Sequence, residues 1–236
     1  RVHTWPHLLR VELLVTLAVL TFLMVIAIVL DAPLEQEADP ARTPNPSKAP
    51  WYFLGLQELL VYFDPWIAGV ALPTLIVLGL CAVPYLDVNP AGDGWYAWRP
   101  RRLALSLFWG GFALWLGLIV IGTFFRGPGW GWFWPWEAWD LSGVTPRPSR
   151  SWPEVFGLGG GPWASVFGGV TVLSHYGLAV FGWLWIRRRP LGVALGPGRW
   201  FIAAFLGLTM LAIPLKMILH HALDVKYVWV TPWFSL

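Results

Sequence analysis

One carboxylate in this sequence stands where carboxylates are rare. Glu58 lies within Phe53-Leu54-Gly55-Leu56-Gln57-Glu58-Leu59-Leu60-Val61-Tyr62-Phe63, and Gln57 is its only nearby polar companion. A carboxylate in apolar surroundings keeps its proton more readily than one in water and can exchange it near neutrality, which is the chemistry of a general acid or base. The competing reading is an anchor at a membrane interface, and the residue types alone leave the two even. Glu58 follows Trp51 by seven positions, a spacing that brings both near one face of a helix.

Histidines raise a second possibility, because a b-type haem between helices needs one histidine from each at matching depth. His175 falls near the middle of one apolar run, and His220 and His221 fall near the end of another. On straight helices the two positions are offset by roughly 10 Å. That spacing favours a hydrogen-bonded His175 inside a bundle and an interfacial His220–His221 pair, with a shared haem as the weaker alternative; His3 and His7 lie on a flank. The single cysteine, Cys81, excludes a disulfide framework and a Cys-x-x-Cys-His haem attachment. Asp87 to Gly94 begins like a calcium loop, but Trp98 occupies the position of the closing acid. Gly157 to Pro162 approaches a nucleotide fingerprint, but no strand precedes it. Both stretches read as turns.

The elements that hold these residues belong to a membrane protein. Of 236 residues 57% are hydrophobic and 12% charged, with a mean hydropathy of +0.59, outside the range of soluble domains. Five runs, Val11 to Leu30, Trp66 to Leu86, Leu103 to Phe125, Trp163 to Ile186 and Trp200 to Leu223, are long enough to cross a bilayer. They must be helices, because hydrocarbon offers the backbone no other hydrogen-bond partner. The expected fold class is therefore an all-α integral membrane bundle of about five transmembrane helices. The first run lacks a small-residue cleavage site and reads as a retained span rather than a signal peptide.

Charge sets the expected orientation. Segments 1–10, 87–102 and 187–199 carry Arg1, Arg10, Arg99, Arg101, Arg102, Arg187, Arg188, Arg189 and Arg199. The alternate segments, more than twice as long in total, carry only Arg42, Lys48, Arg126, Arg147, Arg150 and Lys226, and Lys216 lies within the last run. The positive-inside rule then puts the N-terminus in the cytoplasm and the C-terminus outside. It also explains Arg187 to Arg189 as a juxtamembrane signal, not a nucleic-acid patch.

Two outer loops stand apart from ordinary connectors. Asp31 to Pro65 begins acidic (Asp31, Glu35, Glu37, Asp39), becomes proline-rich, and regains helical character from Trp51 to Phe63. Pro50 suits the first position of that helix, with Ser47 available as a cap, so a short helix at the outer surface is expected. The second loop packs Trp130, Trp132, Trp134, Trp136 and Trp139 together; a belt at the headgroup boundary is favoured over a ligand-stacking site. Gly110, Gly111, Gly117, Gly168, Gly169 and Gly177 inside spans are expected to permit close helix packing.

From about Thr4 to about Pro135 the chain resembles the C-terminal half of cytochrome b, the subunit IV type, of bacterial quinol:cytochrome c oxidoreductases of the cytochrome bc and bf class. The most specific feature is a Lys-Pro-Glu-Trp-Tyr-Phe-Leu type motif, here Lys48-Ala49-Pro50-Trp51-Tyr52-Phe53-Leu54, in a form similar to menaquinol-oxidising complexes. The resemblance implies a subunit of the bacterial inner membrane, inactive alone, that contributes the quinol-oxidation site of an electron-transport chain coupled to proton release. It assigns Pro50, Trp51, Tyr52, Phe53 and Leu54 to quinol binding. The family's motif glutamate falls on Pro50, and Glu58, on the same helix, becomes the candidate catalytic proton acceptor. Implied partners are a haem-bearing cytochrome b N-terminal subunit, a Rieske-type iron–sulfur protein and a c-type cytochrome, besides membrane lipid. Haem b and the iron–sulfur cluster are expected on those partners, with no haem and no metal on this chain.

Residues 1–140 carry the resemblance, and residues 141–236 add two spans that the family lacks, assigned to subunit docking. The alternative is the membrane anchor of another quinol-linked oxidoreductase with its own haem on His175 and an outer-end histidine. A secondary transporter fits less well, since Glu12 and Lys216 lie toward the ends of their spans, as do His220 and His221, only His175 lies near a middle, and no paired repeats occur.

Overall fold

The computed structural model describes residues 3–31, 37, 39–41, 43–89, 98–140 and 148–236. Arg1, Glu35, Arg42, Arg147 and the Pro90 to Gly94 part of the calcium-like stretch lie outside them. The chain divides into two units, Arg1–Thr43 and Pro44–Leu236. The first contains α1 (Leu9–Val29), entered through a π-helical turn at Thr4–Leu8. Beyond Arg10 and Glu12 in its first turn, its 21 residues are apolar around most of the circumference, the pattern of a bilayer span.

The second unit contains α2 (Trp51–Tyr62), α3 (Leu72–Leu86), α4 (Arg102–Phe124), the short α5 (Trp152–Val155), α6 (Pro162–Ile186) and α7 (Pro190–Leu223). Five helical segments are long and apolar enough to cross a membrane: Thr4–Val29, Ile67–Leu86, Arg102–Phe124, Pro162–Ile186 and Pro190–Leu223. The all-α membrane bundle expected from hydropathy is what the chain forms. The last segment starts ten residues earlier than its apolar run because Gly196, at φ +68°, breaks α7 just before Pro197. The leading piece is a separate short turn of helix joined across that kink.

α7 is the central helix of this unit. It packs on α6, where His175 Nε2 lies 2.9 Å from the Leu208 carbonyl oxygen and Tyr176 meets Thr209 at 3.1 Å. On its other side Gly110 and Gly111 of α4 receive Met210, and Gly79 of α3 receives Leu206. Gly168 and Gly169 accommodate the C-terminal segment, not a helix: a Cβ at Gly168 would lie 2.5 Å from the Val228 carbonyl oxygen. Nothing packs against the Cα faces of Gly117 and Gly177 among the described residues, so the packing role expected of them is not theirs. Two short parallel strands, β1 (Arg150–Ser151) and β2 (Val225–Tyr227), tie the approach to α6 to the chain beyond α7.

α2 is held at both ends of its approach. Pro50 is its N-cap rather than its first helical residue, and no side chain caps it, Ser47 included. Gln57 takes that role from inside the helix: its Oε1 accepts from Ala49 N at 2.8 Å and its Nε2 donates to the Ser47 carbonyl at 2.8 Å. Lys48 Nζ donates to the Thr123 carbonyl at 2.7 Å, satisfying one of the unpaired carbonyls at the C-terminus of α4, where the helix dipole favours a cation. Burial pushes the Lys48 ammonium below its usual range. α2 then runs along the last turns of α4, with Gly55 against Trp115 and Gly122 against Leu54. Leu59, Tyr62, Phe63, Leu72, Leu118 and Ile213 form the core where α2, α3, α4 and α7 meet.

Candidate functional site

The site is built at the end of the bundle where α4 stops. After Phe124 the chain reverses: Gly127 N donates to the Gly131 carbonyl at 3.1 Å and Phe133 N to the Phe125 carbonyl at 2.9 Å. Gly129 and Trp130 take left-handed φ of +63° and +57°. Gly127 must lack a side chain, because a Cβ there would stand 2.5 Å from the buried Phe133 ring. This reversal points Arg126 back into the protein, where its side chain is 4% exposed.

Glu58 is 0% exposed and meets Arg126 through two bonds: Arg126 Nε donates to Oε2 at 2.8 Å and Nη2 to Oε1 at 2.6 Å. A bidentate guanidinium–carboxylate pair is the strongest arrangement these groups have. Arg126 Nη1 also donates to the Trp130 carbonyl at 3.2 Å. Burial alone would weaken the hold of Arg126 on its proton; the hydrogen bond to Glu58 and that residue's charge outweigh it and push the guanidinium above its usual range.

Tyr62, one turn after Glu58, completes the cluster. Its hydroxyl donates to Glu58 Oε1 at 2.7 Å, accepts from Arg126 Nη2 at 3.1 Å and lies 3.2 Å from His221 Nε2. A phenol has one proton, and Tyr62 gives it to Glu58. Its oxygen therefore has only lone pairs to offer His221, so Nε2 is the donor in that contact. Burial first, and then the Glu58 charge, push the Tyr62 phenol above its usual range against the pull of Arg126, so it stays protonated through the physiological range.

Three further groups surround the cluster. The His220 ring packs edge-on to Tyr62 with centroids 5.4 Å apart, and Trp132 packs against His221 at 5.0 Å. Lys216, one turn before His220, is 4% exposed, sits 4.5 Å over the Phe63 ring, and its Nζ has no hydrogen-bond partner among the described residues. His221 stands at the border between this buried side of α7 and an open apolar depression of about 520 Å³ lined by Pro214, Met217, Ile218, His221 and Ala222. The arrangement offers a hydrogen-bonded route from an apolar surface through His221 and Tyr62 to an enclosed carboxylate.

The sequence-derived candidates fall in two places. Glu58 is at the centre, and Leu54 is buried beside Gly122 one turn before it. Trp51 does not share the Glu58 environment: it is 67% exposed, because Leu54 already packs on the last turn of α4 and the residues before it reach past that end. Pro50, Tyr52 and Phe53 are exposed with it, Tyr52 and Phe53 in ring contact at 4.8 Å. Gln57 turns toward Ser47 and Ala49 and not toward Glu58. Sequence reasoning missed Arg126, Tyr62, His221 and Lys216 as members of the site. The available signal was Arg126 itself, an arginine directly after a span on the side where arginines are scarce. Among the described residues no three His, Cys, Asp or Glu side chains are grouped to hold a metal ion.

The comparisons with known proteins bear on the enzyme class and not on this site, and the relative they give is a cytochrome c subunit rather than a cytochrome b C-terminal half. The chain is 33% identical over 108 residues to the menaquinol:cytochrome c reductase cytochrome c subunit of Geobacillus thermodenitrificans, a stretch covering 44% of this chain. That similarity is to one subunit of a menaquinol:cytochrome c reductase. The chain spans 42% of the length of that relative. No family model matches the chain, and no solved structure does.

Proposed function

We propose that this chain is a membrane subunit of a quinol:cytochrome c oxidoreductase, with menaquinol as the quinol, and that it supplies the proton-accepting side of the quinol-oxidation site. The observation that carries this reading is the continuous chain from His221 through the Tyr62 hydroxyl to Glu58 Oε1, beginning beside an apolar depression and ending on a buried carboxylate. The similarity to a menaquinol:cytochrome c reductase subunit supports the substrate class. So does the Lys48 to Leu54 motif.

Oxidation of a quinol to a quinone releases two electrons and two protons. Haem b and an iron–sulfur cluster on partner subunits would supply the electron-accepting chemistry. This chain's residues handle one proton. A quinol in the depression gives its proton to the His221 ring as the Nε2 proton passes to the Tyr62 oxygen and the Tyr62 proton passes to Glu58. Tyr62 remains neutral throughout, as a group that holds its proton tightly must. Arg126 loses its counter-charge when Glu58 takes the proton, so that state is short-lived and the proton moves on to the outer aqueous phase. Pro50, Trp51, Tyr52 and Phe53, exposed at the start of α2 and outside the depression beside His221, are the quinol-contacting face that the motif assigns, with Leu54 buried behind them. α6 and α7 have a docking role as well, and the arginine-rich end faces the cytoplasm of the bacterial inner membrane.

The chain should copurify with its redox partners. Isolated through an affinity tag from native membranes in mild detergent, it is expected to bring a haem b subunit, an iron–sulfur protein and a c-type cytochrome, and the preparation should reduce cytochrome c with a menaquinol analogue. Isolation without haem proteins, or with them but without quinol-dependent activity, would remove the reading.

A further inference from the structure

We propose that the opposite end of the second unit holds a binding site for an anionic membrane phospholipid. A cavity of about 220 Å³ opens where the end of α3, the start of α4 and the leading piece of α7 converge. Among the described residues its charged lining is Arg99, Arg101, Arg102 and Asp87. Asp87 Oδ2 lies 3.2 Å from Arg101 Nε, and the described lining, three guanidinium groups and one carboxylate, carries an excess of positive charge. The rest of the wall is hydrocarbon. Leu107 closes it from α4, and the kink at Gly196 and Pro197 brings Leu191 and Leu195 across it from α7.

Sequence alone accounts for arginines at this end by the positive-inside rule. It does not account for their convergence on one cavity with a leucine wall. A small hydrophilic anion has no use for that wall, and a neutral acyl chain has no use for the arginines. An amphiphile with a phosphate head and an acyl tail matches both. Guanidinium groups bind phosphate oxygens through paired N–H donors, and basic pockets between spans are a recurrent form of headgroup recognition. The depth fits too: α4 begins at Arg102 and runs 23 residues, about 34 Å, so its first turn lies at headgroup level when its far end reaches the other interface. The inference does not depend on quinol oxidation.

The test is native mass spectrometry of the full chain released from micelles containing phosphatidylglycerol or phosphatidylcholine. One phosphatidylglycerol should remain bound in preference to phosphatidylcholine, and millimolar inorganic phosphate should not displace it. R99Q/R102Q should weaken retention at least roughly tenfold, whereas R187Q/R188Q, which removes the same charge from the same end, should not. Leu191→Trp narrows the wall without touching the arginines and should also weaken retention, which guards against misfolding of the double variant. Unchanged retention in both R99Q/R102Q and Leu191→Trp would overturn the site. Equal loss in the two arginine pairs would reduce it to bulk charge, and displacement by inorganic phosphate would make it a small-anion site; either result contradicts the proposal.

Discussion

Arg126→Gln is expected to be the most destabilising single substitution in the second unit, because it leaves Glu58 buried at 0% exposure without its counter-charge. Removing one member of a buried pair costs about 3 to 5 kcal/mol, far more than an exposed pair, since the remaining ion cannot recover its hydration. The loss should appear as a lower thermal unfolding midpoint in detergent and lower abundance in the membrane. Arg126→Lys should fall between, keeping the charge but losing the paired Nε and Nη2 bonds. Substituting Arg150, exposed on β1, should leave the midpoint within the spread of ordinary surface changes. An Arg126→Gln midpoint equal to the native one would mean that the carboxylate has other compensation and that the pair does not organise the site.

The second large effect belongs to Tyr62→Phe. The ring and its packing against His220 remain, but the only hydroxyl between His221 and Glu58 is gone. If the proton travels by this route, quinol turnover in the assembled complex should fall by about 10² to 10⁴, the usual worth of a general acid–base group, with KM for the quinol little changed. Loss of the hydroxyl also deprives Glu58 of one donor, which should cost about 1 to 3 kcal/mol; thermal midpoints therefore accompany the kinetics. Turnover near the native value in a correctly assembled Tyr62→Phe complex would reject the relay.

Apart from the last helix, which starts ten residues before its apolar run, the scaffold was readable from the sequence to within a few residues, and for a physical reason. Bilayer thickness fixes how long an apolar run must be, so Leu103 to Phe125 anticipates α4 and Trp163 to Ile186 anticipates α6. The short helix after Pro50 was equally legible, since proline and the following aromatic run mark its start. The site was legible only at Glu58. Its partner Arg126 is 68 residues away and His221 lies 159 residues from Tyr62. No local pattern links residues that distant. The tryptophan-rich loop drew a membrane-belt reading from composition, yet its first turn delivers Arg126 and buries Phe133. Position on a helix was also judged without its neighbour: Trp51 and Glu58 share a heptad offset, but α4 ends between them and gives the two opposite surroundings.

The central claim is that Glu58 takes a quinol proton and is more than half of a structural pair, and a charge-balanced double variant separates the two. Glu58→Gln alone leaves Arg126 without its counter-charge, whereas E58Q/R126Q replaces both charges by neutral amides of similar shape, a change that buried pairs often tolerate. The measurement is menaquinol-dependent cytochrome c reduction by the purified complex, beside its thermal midpoint. The account predicts that E58Q/R126Q recovers assembly and midpoint relative to Arg126→Gln, while turnover stays depressed. A double variant that regains native turnover together with its stability would contradict the account, and would leave Glu58 as a structural residue.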